Sequence, residues 1–389
     1  MKVDAHILGS GLWQAPERDL SSVLLDLNEN QLLQQFLARF IATQLQPQDL
    51  FTYPNYQPLL EELASYCKVP TQHVLLTNGA DQAIDLLLRL LFSPGDRVVI
   101  PSPVFSFYYQ MLDINGVTPV VVGYEKQAQD FVLPTAAVLD ALSTCQGLIL
   151  CNPNNPLGGR LEAKQLQALV EACVKQDKPV IVDECYFEYL QQSCQDTFSG
   201  VSQLFVIRSF SKYFGLAGLR LGYVVTHPES VRELLKVRGP WDINHIAVKA
   251  ALYCLRNQDE LRQAHESLDQ IKGEILEICR AHGIVAYGSD TNFLLLQDQS
   301  DGCLARTFAQ NNIRVSHCSG YPHSFGLLDD MLRVAIPAKS DLKVFLMALI
   351  SGAQSAAGWG NVKTGRSIML TAQDGSGVLQ DRTDSGCKG

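Results

Sequence analysis

Lys212 stands in the segment Arg208-Ser-Phe-Ser-Lys-Tyr-Phe-Gly-Leu-Ala-Gly-Leu-Arg220, with Ser209 and Ser211 just before it and Gly215, Gly218 and Arg220 after it. Two hydroxyls and a guanidinium are donors of the kind that close around a phosphate. Glycines among them let the backbone approach an anion closely. The string also suits a solvated loop lysine, and by itself it leaves both readings open. A second polar segment, Asn152-Pro-Asn-Asn155-Pro-Leu-Gly158, has the composition of a turn.

Other chemistries find less support. The eleven cysteines include no Cys-x-x-Cys pair, and the eight histidines lie apart, so no metal site is expected. The odd cysteine count, together with a start that shows no secretory leader, leads to an expectation of reduced thiols and a cytoplasmic protein. A net charge of −9 disfavours nucleic acid as a partner, though a local donor cluster can still hold a small anion. No apolar run approaches the roughly 18 residues that a bilayer requires, so no membrane partner is expected.

The elements that must position these groups can be read from periodicity. Apolar residues make up 47% of the 389 residues and charged residues 18%, enough for a substantial core. From Glu61 to Phe210 helical and strand-like stretches alternate. Asp81 to Phe92 is apolar at helical spacing until Pro94-Gly95-Asp96 stops it. Short apolar runs follow at Arg97 to Ile100 (ended by Pro101), Val117 to Val122, Gly147 to Cys151, Pro179 to Val182 and Leu204 to Ile207. Amphipathic stretches such as Ala163 to Lys175 separate them. This pattern predicts an α/β fold whose mainly parallel sheet is covered on both faces and binds ligands beyond the strand C-termini. After about Arg256 a long helix from Leu261 to His282, strands at Phe293 to Leu296 and Leu332 to Ile336, and a helix from Ser340 to about Ile350 predict a smaller α+β domain. The expected division is an N-terminal segment 1–35 joining the small domain, a large domain 36–256, a small domain 257–350 and a mobile tail 351–389.

The string SFSKYFGLAGLRLGY resembles the lysine signature of fold-type I aminotransferases, especially the branch containing histidinol-phosphate aminotransferase. The resemblance continues in order through Asn28-Glu29-Asn30, Tyr53-Pro54, Asn78-Gly79-Ala80-Asp81, Pro103-Val104-Phe105, Asn152 to Gly158, Asp183-Glu-Cys-Tyr186 and Leu332-Arg333-Val334, covering about residues 25 to 350. It implies the fold-type I architecture, with a seven-stranded sheet in the large domain, and pyridoxal 5′-phosphate (PLP) held by Lys212 as a Schiff base. It implies that Asp183 pairs with the pyridine nitrogen and keeps it protonated, making the ring an electron sink. Tyr186 and Asn155 would donate to the ring's phenolic oxygen, and Phe105 would lie against the ring face. The phosphate would be held at Gly79, Ala80 and Asp81, where a helix begins, and by Ser209, Ser211 and Arg220. Tyr53 would reach the phosphate of a neighbouring subunit, which makes a homodimer the expected assembly. Arg333 would fork onto the substrate α-carboxylate, with Asn30 also at the substrate and Asn244 near the cofactor.

One departure bears on substrate. Where histidinol-phosphate enzymes carry a second arginine for the substrate's phosphate, this chain has Ser316. Arg314, on the same strand face by alternation, or His317 is the expected replacement. The resemblance implies amino transfer between an amino acid or amino-alcohol phosphate and a 2-oxo acid. Its rivals are decarboxylation of a phosphorylated amino acid, as in threonine-phosphate decarboxylases, to which Pro240-Trp241 and Asn244 are similar, and a non-catalytic binding protein of the same fold.

Overall fold

Fourteen short strands make up three sheets in the computed structural model, which describes residues 5–11, 15–128, 130–195, 200–298 and 302–356. They are β1 (Val23–Leu25), β2 (Val74–Thr77), β3 (Arg97–Ser102), β4 (Thr118–Gly123), β5 (Glu125–Gln127), β6 (Asp130–Val132), β7 (Gly147–Cys151), β8 (Val180–Asp183), β9 (Leu204–Ser209), β10 (Gly222–Val225), β11 (Ala286–Tyr287), β12 (Phe293–Gln297), β13 (Ile313–His317) and β14 (Met331–Ala335).

Seven of them form one sheet in the order β2-β10-β9-β8-β7-β3-β4, in which only β10 runs against its neighbours. The strands β2, β7 and β8 are buried at every position, and β9 likewise, which is why they read as unbroken apolar runs rather than alternating ones. Helices such as Gly79–Leu91 and Ala163–Lys175 bury their apolar stripes in two clusters, one for each face of this sheet. Because β10 is antiparallel, its first residue, Gly222, lies at the same edge as the last residues of β2 and β9. That edge therefore collects the loops after six parallel strands and the loop before β10.

A five-stranded sheet, β1-β13-β14-β12-β11, carries a third apolar cluster with the helices Gln258–Ala281 and Lys339–Ala356. β1 joins it in parallel with β13, so residues from the start of the chain close a sheet otherwise made from its end. β5 and β6 form a separate hairpin.

Several expected elements have different limits. β3 continues through Pro101 to Ser102, because there it pairs with β4 and its pairing with β7 has already ended at Val99. The closing helix runs through Ala356 rather than stopping near Ile350; Phe345, Leu346 and Leu349 are buried on it. The first six residues of the expected tail are thus helical, and 357–389 lie outside the described residues. β2 and β10 are two further four-residue strands that the periodicity reading did not name. Among the described residues, no helix is long and apolar enough to cross a membrane.

One buried ion pair pins the ends of β8 and β9. Glu184, one residue past β8, accepts from Arg208 of β9 at 3.0 Å, and both side chains are almost wholly enclosed. Ser193 donates to the same carboxylate, and Arg208 donates to Ser193 Oγ. Alternation then sends the neighbours Asp183 and Ser209 to the opposite side. Glu184→Ala leaves the Arg208 guanidinium buried with its charge unmatched, and urea unfolding is expected to show a loss of about 3–5 kcal/mol.

Candidate active site

The side chains singled out in the sequence converge on the collecting edge of the large sheet. Asp183 ends β8 and is buried; its Oδ1 accepts from the Cys185 N–H at 3.0 Å and its Oδ2 from the Tyr108 hydroxyl at 3.1 Å. Among the described residues no cationic side chain is paired with it, and burial raises its pKa above the ordinary carboxylate value. A carboxylate so placed favours a cationic or N–H partner. The Tyr108 hydrogen bond joins residues 75 apart and is not legible in the sequence.

Lys212 follows β9 and is half-buried, its Nζ 5.9 Å from the centre of the Tyr186 ring and donating to the Leu27 carbonyl at 3.0 Å. Burial, and then the positive charge of Arg333, bring its pKa down to about 8. An amine with that value is a far better nucleophile at neutral pH than an ordinary lysine. The Tyr186 hydroxyl accepts from Asn28 Nδ2 at 2.8 Å. Burial raises the Tyr186 pKa, so the phenol stays protonated and free to donate.

A second cluster lies where helix Gly79–Leu91 begins. Arg220 donates to Asp81 Oδ2 at 2.7 Å and to Ser211 Oγ at 3.4 Å, while Ser209 Oγ accepts from the Ser211 N–H at 3.1 Å. Gly79 has φ +71°, and a Cβ there would come within 2.6 Å of Arg220 Nη2. The glycine is therefore required both by its backbone and by the guanidinium over it. Gly222 is equally constrained: a Cβ would meet Gly79 C at 2.7 Å and Ala80 N at 2.9 Å. Hydroxyls, a guanidinium and the first-turn N–H groups of a 13-residue helix make an anion cradle.

Arg333 brings the small sheet to the large one. It sits on β14 opposite Ser316 of β13, buried, and donates to Asn155 Oδ1 at 2.6 Å, Tyr321 Oη at 3.1 Å and the Asp26 carbonyl at 2.8 Å. Its Nε has no partner among the described residues. The turn segment divides its labour. Asn152 Oδ1 accepts from the Leu161 N–H and Asn154 Oδ1 from the Leu157 N–H, while Asn155 alone faces Arg333.

The remaining expected site residues are more dispersed. Asn30 caps the short turn at Gln31–Leu33 through Oδ1, and its Nδ2 meets the Tyr213 carbonyl and His265. Asn28 reaches Tyr186. Arg314 is paired with Asp26 at 2.7 Å, and His317 is exposed. Phe105 is half-buried beside Phe107, and Asn244 caps helix His245–Arg256 while reaching the Leu219 carbonyl. Tyr53 is 71% exposed and lies against Trp241, itself 53% exposed. Among the described residues, no group of three or more His, Cys, Asp or Glu side chains is placed to hold a metal ion.

The sequence profile of the family described as aminotransferase class I and II matches residues 22–349. The chain belongs to that family. The histidinol-phosphate aminotransferase 2 of Cupriavidus pinatubonensis is 32% identical over 315 residues, spanning 78% of this chain and 83% of the relative. The histidinol-phosphate aminotransferase of Thermoanaerobacter sp. (strain X514) is 32% identical over 251 residues, 64% of this chain and 70% of the relative. The structure of histidinol-phosphate aminotransferase from Sinorhizobium meliloti in complex with pyridoxal-5′-phosphate superposes with a TM-score of 0.76 at 20% identity, over 91% of this chain and 98% of that one. The protein is a PLP-dependent aminotransferase of fold type I.

The aminotransferase's own side chains fit that cofactor. A phosphate monoester suits the cradle at Gly79 and Arg220, a protonated ring nitrogen suits the buried and otherwise cation-free Asp183, and an aldehyde suits the amine of Lys212. The titration of Lys212 is directly measurable in the cofactor-free protein. With its lysines reductively methylated using 13C-formaldehyde, the Lys212 resonance is expected to titrate near pH 8 while the surface lysines titrate near their ordinary value. Arg333→Met removes one of the two causes and moves that midpoint up; a Lys212 midpoint among the surface lysines would contradict the geometry.

Proposed function

We propose that this aminotransferase moves an amino group between an amino acid or amino-alcohol phosphate and a 2-oxo acid, with Lys212 as the residue that carries the cofactor. The observation that supports it most is the placement of Lys212 between two differently built ends: Asp183 and the Arg220 cradle toward the cofactor, Arg333 toward the substrate.

Bound PLP supplies the electron sink for the pair left at the substrate Cα. In this reading Asp183 keeps the ring nitrogen protonated. Tyr108 and the Cys185 N–H hold that carboxylate in place. Tyr186 and Asn155 donate to the phenolic oxygen, and Phe105 lies against the ring. Gly79, Ala80 and Asp81 present first-turn N–H groups to the phosphate, with Ser209, Ser211 and Arg220 around it. Lys212 would hold the cofactor and, as a free amine, would move the proton at the substrate Cα. Its depressed pKa suits a base that works near neutrality. Arg333 would fork onto the α-carboxylate through its partner-free Nε and the N–H of Nη2 that Asp26 does not take. The exposed Tyr53 and Trp241 are assigned to a homodimer interface, across which Tyr53 reaches the neighbour's phosphate cradle. A cytoplasmic location follows from the same reading.

The named relatives act on histidinol phosphate. Ser316 and the pairing of Arg314 with Asp26 support a different or broader amino donor here. A half-reaction screen tests this: purified holoenzyme is mixed with amino acids and amino phosphates while the cofactor's visible band is followed. Transfer predicts bleaching by a donor and recovery with a 2-oxo acid, and CO2 release without any need for a 2-oxo acid would overturn it. Lys212→Ala is expected to remove turnover and the borohydride-sensitive band together. Asp183→Asn is expected to lower kcat by about 10²-fold or more while substrate still binds.

A further inference from the structure

Three consecutive residues near the start of the chain hold three separate groups of the site. The Asp26 carbonyl accepts from Arg333, the Leu27 carbonyl accepts from Lys212 Nζ, and the Asn28 side chain donates to Tyr186. Residues 26–28 lie just beyond β1, whose three residues pair in parallel with β13. So short a strand fixes little beyond its own end. Asn28 has φ 55°, and its carbonyl accepts from Asn292, so the backbone turns sharply here.

Side chains of the same segment are gripped by charge. Arg18 donates to Asp26 Oδ1 at 2.6 Å and to both oxygens of Glu29 at 2.8 Å; Arg314 donates to Asp26 Oδ2 at 2.7 Å. Two guanidiniums and two carboxylates thus bracket residues 26–29 from both ends. Arg18 is half-buried while the other residues from 15 to 20 are all exposed, so its fork is what ties that stretch to the body of the protein. Planar, bidentate pairing fixes direction as well as distance, which a lysine in its place cannot do. The same pairing leaves Arg18 and Arg314 charge-balanced by Asp26 and Glu29.

We propose that Arg18 is a positioning residue for amino transfer: its fork across Asp26 and Glu29 holds the Asp26–Asn28 segment in the register that aims Arg333, Lys212 and Tyr186. The inference rests on the functional reading above, in which those three groups meet substrate and cofactor. It adds a group outside that set, one that acts only through the backbone and through Asn28.

The test uses the full chain with bound PLP, comparing wild type with Arg18→Met, Arg18→Lys and Glu29→Gln. Arg18→Met is expected to raise KM for the amino donor about tenfold, because Arg333 loses a fixed partner. The pH midpoint of the visible band is expected to shift, because two groups around the Lys212 nitrogen are released. In the cofactor-free protein, amide exchange across residues 23–33 is expected to speed up while the large sheet stays protected. Arg18→Lys is expected to recover part of the KM effect, and Glu29→Gln to show the same changes more weakly; Glu29→Gln decides the matter if Arg18→Met does not fold. Wild-type KM, band midpoint and local exchange in a folded Arg18→Met would overturn the inference, as would a lowered melting temperature with all three unchanged. A wild type with no Lys212-dependent band defeats the functional reading itself, whereas a normal wild-type band with an unaltered Arg18→Met defeats only the role of Arg18.

Discussion

A guanidinium buried between two sheets has to be satisfied from both, and Arg333 places that demand at the centre of this enzyme. It belongs to β14 of the small sheet, yet its partners are Asn155 from the loop after β7, Tyr321 from the loop before β14 and the carbonyl of Asp26 beside β1. Leaving such a charge unpaired would cost several kcal/mol, so the relative placement of the sheets is not free to drift by a bond length. In the proposed reading a substrate carboxylate at this group would meet donors already fixed in place, with little ordering left to be done on binding. The same charge lies close enough to Lys212 to depress its pKa. Structure and acid–base chemistry share one side chain.

Around it, the site separates into ends with different physics. The phosphate cradle is half-exposed and built for a dianion, with a positive guanidinium, hydroxyls and a helix start. Asp183 lies in the interior, held by one hydroxyl and one backbone N–H, where a carboxylate without a cation is uncomfortable. That discomfort makes a protonated ring nitrogen its preferred partner. Lys212 is desolvated and faces the like charge of Arg333, so it gives up its proton easily. Each environment suits one portion of a single cofactor, and exchanging any two of them would leave a buried charge unmatched.

The loops carrying these groups owe their meeting to sheet topology. Parallel strands deliver their C-terminal ends to one edge, and the single reversal at β10 returns Arg220 to that edge against the start of helix Gly79–Leu91. The glycines at 79 and 222 are there because backbone and guanidinium approach more closely than any Cβ would allow. Behind the edge, the Glu184–Arg208 pair ties β8 to β9 and leaves Asp183 and Ser209 facing the site.

The alternation of apolar runs and amphipathic helices was enough to read an α/β architecture, since strands buried on both faces are apolar along most of their length. It was also enough to place Lys212, Asp183 and Asn155 at strand ends, and the ordered motifs carried the family. Contacts between residues far apart in the chain were not legible: Tyr108 on Asp183, Asn28 on Tyr186, Arg18 and Arg314 closing on Asp26. Local sequence records what each residue needs from its immediate backbone and from water. Which groups share one desolvated space, and which charges neutralise one another there, is decided when separate sheets pack, because hydrogen bonds and ion pairs depend on distances that spacing along a chain does not contain.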